Sequence, residues 1–567
     1  MRRLVALLFC AVGALAQDED FTQQGEEKLA QLRSAYCERL VRLATWDDKV
    51  RLHDEARDLC DRALLLLPDH AEALALLEKQ KGKCDDAAYP DHKSQKERMR
   101  AAEEHHKRLP AELEGWRKEA LAVATWCEQK HLDDARNRAL RLAVKLLGGD
   151  EFLFKCLGYG KGEYGWVLPA QKDLIEPMST YVYSADEAAR AKAKEQIAAV
   201  ADVDLVELQR TATLVNGLPD LKGKGAEEKE EVQVDGEETE LYTRVPIRYK
   251  RADRWPAYIT LHPKEGKSYF WVRLFKQQQN VYDKYIVLAP TLVTPDDNLS
   301  WRSDKAMKQV DACVKWMLER YNVDTDRIFV DGFGIGAAAF LHAQATPDRY
   351  AGVILRSRIY SSSQRPSEFG IANLMHLPTY FLLGSNVPDE RRTEADDVVA
   401  VMREQCVPLM YRVIAGKGED AFTEESNSIF EWIEQQGGRD VFPRRVTLTP
   451  NTMSVPPTTR AYWVEAVDAW YKGRIDAVIK GNTIDVTATK TKEYAVWLSD
   501  AMVDLDQPVK IVTNGEVTFE GKVERDRWVM LDHMRATRDR MRTFVARVPI
   551  KVPYHPDRED QKETEDR

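Results

Sequence analysis

The pentapeptide Gly332-Phe333-Gly334-Ile335-Gly336 follows the apolar run Ile328-Phe329-Val330 and leads into Ala337-Ala338-Ala339-Phe340-Leu341. A strand, a tight turn and a helix start, in that order, are the setting of the G-x-S-x-G nucleophile turn. In that turn a serine hydroxyl attacks an acyl carbon. A histidine acts as base, an acid orients it, and backbone N–H groups receive the oxyanion. Here the central position is Gly334, which has no side chain. The turn that would present a nucleophile is written into the chain; the reactive atom is not.

From Arg327 to Leu355, with turn, helix and the Pro347-Asp348-Arg349-Tyr350-Ala351-Gly352 approach to the next strand, the sequence resembles α/β-hydrolases of the secreted bacterial esterase and prolyl-oligopeptidase type. The resemblance covers residues 242–437. It implies an acid in a Gly-x-x-Asp arrangement after Leu383-Gly384, but Ser385-Asn386-Val387-Pro388 puts Val387 there, with Asp389 within reach only of a shifted loop. It implies a histidine in a glycine-rich turn, and Gly416-Lys417-Gly418-Glu419-Asp420-Ala421-Phe422 has Glu419 in that place. A His-Gly-Gly oxyanion loop becomes His262-Pro263-Lys264-Glu265-Gly266, where Pro263 has no N–H to donate. The triad positions are thus Gly334, Val387 and Glu419, and no catalytic residue is assigned.

Other side chains near the strand ends carry groups suited to the same chemistry. Ser303, Ser357, Ser361–Ser363 and Ser385 are either relocated nucleophiles or ordinary serines capping turns. His342, two helical turns past Gly334, is expected to pack inside. Arg356 and Arg358 follow the strand Gly352–Leu355, at the carboxyl edge where such sheets bind ligands. With Lys264 and Arg302 they form either a cationic mouth for an anionic glycan or carboxylate, or a surface ion-pair cluster. Phe333, Gly334, Ile335, Ser385 and Glu419 complete this candidate pocket.

The elements that must hold these residues alternate. Strands are expected at Arg244–Tyr249, Ala257–His262, Tyr285–Pro290, Arg327–Val330, Gly352–Leu355, Thr379–Leu383 and Met410–Ile414. Met307, Val310, Val314, Met317 and Tyr321 make one apolar helical face, and further helices are expected at Ala395–Gln405 and Ser426–Gln436. The fold class is α/β, with a doubly wound, mostly parallel hydrolase-like sheet over 241–440.

Residues 17–168 read as an all-α helical-repeat region. Leu43-Ala44-Thr45-Trp46 recurs as Val123-Ala124-Thr125-Trp126, and Leu67-Pro68-Asp69-His70-Ala71 resembles a tetratricopeptide junction. Residues 169–240 are expected to connect through a helix capped by Ser184-x-x-Glu187 and an acidic loop. Period-two alternation with the Asn514-Gly515 turn predicts a small antiparallel β domain over 441–553, and 554–567 a charged disordered tail. Met1-Arg2-Arg3, an apolar run and Ala14-Leu15-Ala16 predict a signal peptide over 1–16, hence export to the periplasm or exterior.

A length of 567 residues calls for several cores, and a formal charge of -10 argues against sequence-independent nucleic-acid binding. No segment reaches membrane-spanning length, and no zinc or H-E-x-x-H pattern implies a cofactor. Seven cysteines remain after residue 16, an odd and scattered set that reads as buried thiols with at most one bridge. Three functions remain open: an inactive hydrolase homologue that binds an unidentified protein or an anionic or glycan ligand, an active esterase or peptidase with a rearranged site, or a purely structural part.

Overall fold

The computed structural model describes residues 2–80, 83, 92–147, 151–162, 165–200, 203–264, 267–274, 283–292, 301–360, 368–451 and 457–553. The chain divides into two compact units, Met1–Lys81 with Lys96–Lys172, and Gly82–Gln95 with Asp173–Arg567. Ser361–Ser363, Glu265, Gly266, Cys84 and the tail lie outside the described residues. Cys37, Cys127, Cys156 and Cys313 are free thiols.

The first unit is helical: Arg2–Lys49, His53–Leu66, Ala71–Gln80, His92–Gln129, Asp133–Leu147 and Glu151–Cys156. The repeat seen in the sequence is a repeat of geometry. Thr45 and Thr125 each bond the carbonyl four residues back, at 2.8 and 2.9 Å. Eighty residues apart, Arg51 and His131 both turn left-handed, with φ of 62° and 58°. The following Leu52 and Leu132 N–H groups close onto Asp47 and Cys127 carbonyls, both at 2.9 Å. His105 is buried and bonds the Asp47 carboxylate at 3.0 Å, whereas its neighbour His106 is exposed.

The second unit is built on two sheets. The larger has eight strands: β1 (Glu227–Val234), β2 (Glu237–Arg244), β3 (Trp255–Leu261), β4 (Ile286–Pro290), β5 (Val323–Phe333), β6 (Gly352–Arg356), β7 (Thr379–Gly384) and β8 (Leu409–Ile414). Their order across the sheet is β8-β7-β6-β5-β3-β4-β2-β1. From β8 to β4 every pair is parallel, and β2 and β1 are added antiparallel at the edge. The inner parallel strands β3, β4, β6 and β7 are apolar runs buried on both faces, as helical crossovers require, whereas the edge strand β8 leaves Val413 exposed. The α/β expectation and its parallel core are therefore observed.

The edge corrects the expected acidic loop over 222–240. From Glu227 onward those residues belong to the β1–β2 hairpin. Val232, Val234 and Leu241 bury one face, and Asp235-Gly236 makes the two-residue turn with φ of 50° and 83°. The strand expected at Arg244–Tyr249 ends at Arg244, and Pro246–Tyr249 is a turn. The helix Glu187–Ala199 is capped by Asp186, whose carboxylate accepts from the Ala188 and Ala189 N–H groups; Ser184 only supports Asp186.

The smaller sheet runs Arg445–Leu448, Val464–Lys480, Thr483–Leu498, Val509–Thr513, Glu516–Gly521, with Arg460–Ala461 and Ala546–Lys551 paired alongside. The sequence predicts a purely antiparallel sheet here, and the structure departs from that at one pair of strands. Thr483–Val486 pairs parallel with Lys510–Thr513, because the 499–508 connection returns the chain to the same end. A helix, Arg527–Thr537, was also hidden among the strands.

Candidate functional site

At the end of β5 the chain makes the turn that the glycines foretold. Gly334 has φ of 57°, in the left-handed region. A Cβ on Gly332 would lie 1.9 Å from the Gly336 carbonyl oxygen, and one on Gly336 would lie 2.0 Å from that of Leu261. Those two glycines are imposed by backbone contact. Gly334 is different: among the described residues a Cβ there would meet only the Pro263 Cβ, at 3.6 Å. The site has room for a nucleophile's side chain and does not carry one.

The remaining parts are occupied elsewhere. His262 is buried, its Nδ1 donating to the Pro263 carbonyl at 2.8 Å and its Nε2 accepting from Leu292 N–H at 3.1 Å. Burial lowers its pKa, against the pull of the Pro263 carbonyl. Val387 is buried in the core. Glu419 is exposed and faces the Arg391 guanidinium at 3.3 Å. Phe333 packs on Trp271, ring centres 5.6 Å apart.

The described serines are spent on turns. Ser303 caps the helix Asp304–Arg320. Ser357, at φ of 63°, both donates to the Asp420 carbonyl and accepts from the Asp420 N–H, each at 2.7 Å. Ser385 accepts from Gly416 N–H at 2.7 Å and bonds Asn386. The described partners of Ser303, Ser357 and Ser385 include no histidine. His342 is enclosed against Tyr350, 2.8 Å away.

The cations divide. Arg356 is fully buried, its Nε 3.0 Å from both Asp331 oxygens and its Nη1 donating to the Ala421 carbonyl. Tyr258 donates to the same carboxylate at 2.8 Å. Arg356 is thus withdrawn from any mouth. Arg358 and Arg302 lie over the Tyr360 ring at 4.1 and 5.2 Å, and Lys264 is exposed. Asp331, Tyr258 and Arg391 were missed in the sequence, and only the position of Asp331 beside Gly332 hinted at one of them.

Among the described residues no group of acids, histidines and cysteines could hold a metal, and no helix is long and apolar enough to cross a membrane. The sequence matches no protein-family model. It matches no curated protein. Among solved structures it is similar to a thermostable esterase (18% identity, TM-score 0.29, 37% of this chain) and spans 60% of that protein's length. It is also similar to a ferulic acid esterase (13%, TM-score 0.33, 38% of this chain and 98% of that one). A third is esterase 2 of Thermogutta terrifontis phosphoramylated by tabun (13%, TM-score 0.31, 38% and 97%). Likeness at these scores does not bear on activity.

Proposed function

We propose that this chain is an exported, catalytically inactive α/β-hydrolase homologue whose hydrolase-like core serves as a binding or scaffold module. The observation that carries the reading is Gly334. The turn keeps its left-handed geometry and both backbone-imposed glycines, with side-chain space at the centre and no side chain in it. The engagement of Ser357, Ser385 and Ser303 in caps supports it. Export rests on the 1–16 sequence. We read 17–168 as tetratricopeptide-like helical repeats that offer a partner surface, 169–240 as the connecting segment, and 441–553 as an accessory β domain. Ligands of the old strand-end mouth would be anionic or glycan, held by Arg302, Arg358 and Lys264.

Fluorophosphonate labelling of the folded protein, read by intact mass, tests this. No adduct is the expected result. A stoichiometric adduct would establish the opposite reading, an esterase or peptidase with a rearranged site, and peptide mapping would name its serine.

A further inference from the structure

The parallel strand that ends at Phe333, just before Gly334, begins beside a cavity. Thr325 and Ile328, near the start of β5, line a space of about 340 Å³ whose far wall comes from the smaller sheet and the loop after the helix Arg527–Thr537. At ~3.3 Å per residue, Thr325 and Gly334 are about 30 Å apart along the strand, so this cavity is separate from the strand-end mouth. Its volume lies at the small end of ligand pockets, which run to about 300–1,000 Å³.

Its acids are all taken. Asp311 pairs with Arg349 at 2.5 Å, Asp539 with Arg439 at 2.6 Å, and Asp348 with Arg542. Glu465 accepts from Arg547 at 2.8 Å and from the Trp497 indole N–H at 2.7 Å. Two further lining cations, Lys315 and Arg460, make no ion pair with an acid among the described residues. The Arg460 guanidinium sits 5.8 Å from the Trp497 ring centre. Arg542 is buried between two acids, paired with Asp348 and with its Nε 3.6 Å from the Asp539 carboxylate, so it is committed to the cavity wall. The cavity therefore joins surplus positive charge to an indole whose orientation is fixed by Glu465.

We propose that this cavity binds a small organic carboxylate, the anion held by Arg460 and Lys315 and the apolar body set against Trp497. A charge-assisted contact supplies affinity where the pocket is desolvated. The indole makes an aromatic body preferable to a methyl group. The site is independent of the reading given to Gly334.

Calorimetric titration of the full chain with benzoate and with acetate, at matched ionic strength, tests the proposal. Saturable one-to-one benzoate binding is expected, at least about tenfold tighter than acetate. Arg460→Gln should weaken benzoate by about tenfold or more, and Arg460→Lys should restore part of the loss. Lys315→Gln, on an exposed helix position, should weaken it severalfold without disturbing the fold, and so decides the matter if Arg460→Gln misfolds. Arg391→Gln, beside Glu419, should leave binding unchanged. Absence of saturable benzoate binding, equal affinity for acetate, or unaltered binding by Lys315→Gln would overturn the proposal.

Discussion

Asp331 and Arg356 form an ion pair closed off from solvent, on the adjacent parallel strands β5 and β6, immediately behind the Gly334 turn. Tyr258 reaches the same carboxylate from β3. Breaking such a pair strands a charge in a dry interior, which costs about 3–5 kcal/mol, while replacing both charges by apolar groups can be neutral. Asp331→Asn or Arg356→Met alone should therefore lower unfolding free energy by about that amount. Asp331→Leu with Arg356→Met should recover most of it. Urea denaturation measures each; equal losses in single and double variants would refute the account.

The glycines of the turn should differ sharply in tolerance. Gly334→Ser makes ordinary contact with the Pro263 Cβ and bears the strain of a left-handed non-glycine residue, about 1–2 kcal/mol. Gly332→Ala and Gly336→Ala drive a Cβ into backbone oxygens at 1.9 and 2.0 Å, which no side-chain adjustment relieves. They should cost more than about 3 kcal/mol or prevent folding. Thermal denaturation ranks the three variants, and a Gly334→Ser loss as large as the others would be inconsistent with this geometry.

Gly334→Ser with Glu419→His should not restore hydrolysis. Val387 is buried where an acid would orient the new histidine, and Pro263 removes a backbone donor from the oxyanion loop. Turnover of p-nitrophenyl acetate by the double variant should stay at the level of the parent protein. A burst of p-nitrophenol would show that a hidden acid completes the site.

The parallel core was legible because its strands are uninterrupted apolar runs bounded by turns, and the Gly334 turn because three glycines repeat at fixed spacing. The β1–β2 hairpin was not, because Glu227–Glu231 reads as a solvated run. Its burial begins only at Val232, and the ion pair between Lys229 and Glu240 depends on register that composition does not carry. Val464–Lys480 was missed for a related reason: the breaks in register between Ala466 and Arg474 interrupt its alternation. At the site, the fate of Arg356 depended on a partner 25 residues earlier in the chain, on the neighbouring strand. Spacing placed it correctly at a strand end and could not tell mouth from core.

His342 should make the protein sensitive to acid. Burial, with Arg349 adding to it, lowers its pKa to about 3, and Asp311 opposes the shift only weakly. The unfolded side chain binds its proton near pH 6.5, so the folded value is depressed. Stability from the neutral ring is complete above about pH 6.5 and is lost as pH falls toward 3. Its Nε2 is also buried without a hydrogen-bond partner. His342→Leu with Tyr350→Phe removes both ends of the bond and should be close to neutral at pH 7. The same double variant should flatten the slope of unfolding free energy between pH 6 and 4, and an unchanged slope would assign the proton uptake to another group.

Asp539 governs a lower window. Burial pushes its carboxyl up, but Arg439 and Arg542, with the Thr325 hydroxyl donating at 2.9 Å, outweigh burial and hold it far below the usual carboxylate range. A depressed folded pKa means its stabilisation is present above the unfolded value near 3.9 and disappears as pH falls below that toward the folded value. Arg439 also reaches Asp326 at 3.1 Å, and Arg542 reaches Asp348, so Asp539 sits between two arginines that join the α/β layer to the smaller sheet. Asp539→Asn should cost about 3–5 kcal/mol at pH 7, because both guanidiniums lose a buried counter-charge. Its penalty should shrink below pH 3, where the parent's unfolded state also takes up a proton at this position. Urea denaturation of both proteins from pH 7 to pH 2 tests this, and a penalty independent of pH would mean that Asp539 acts by shape and hydrogen bonding rather than by charge.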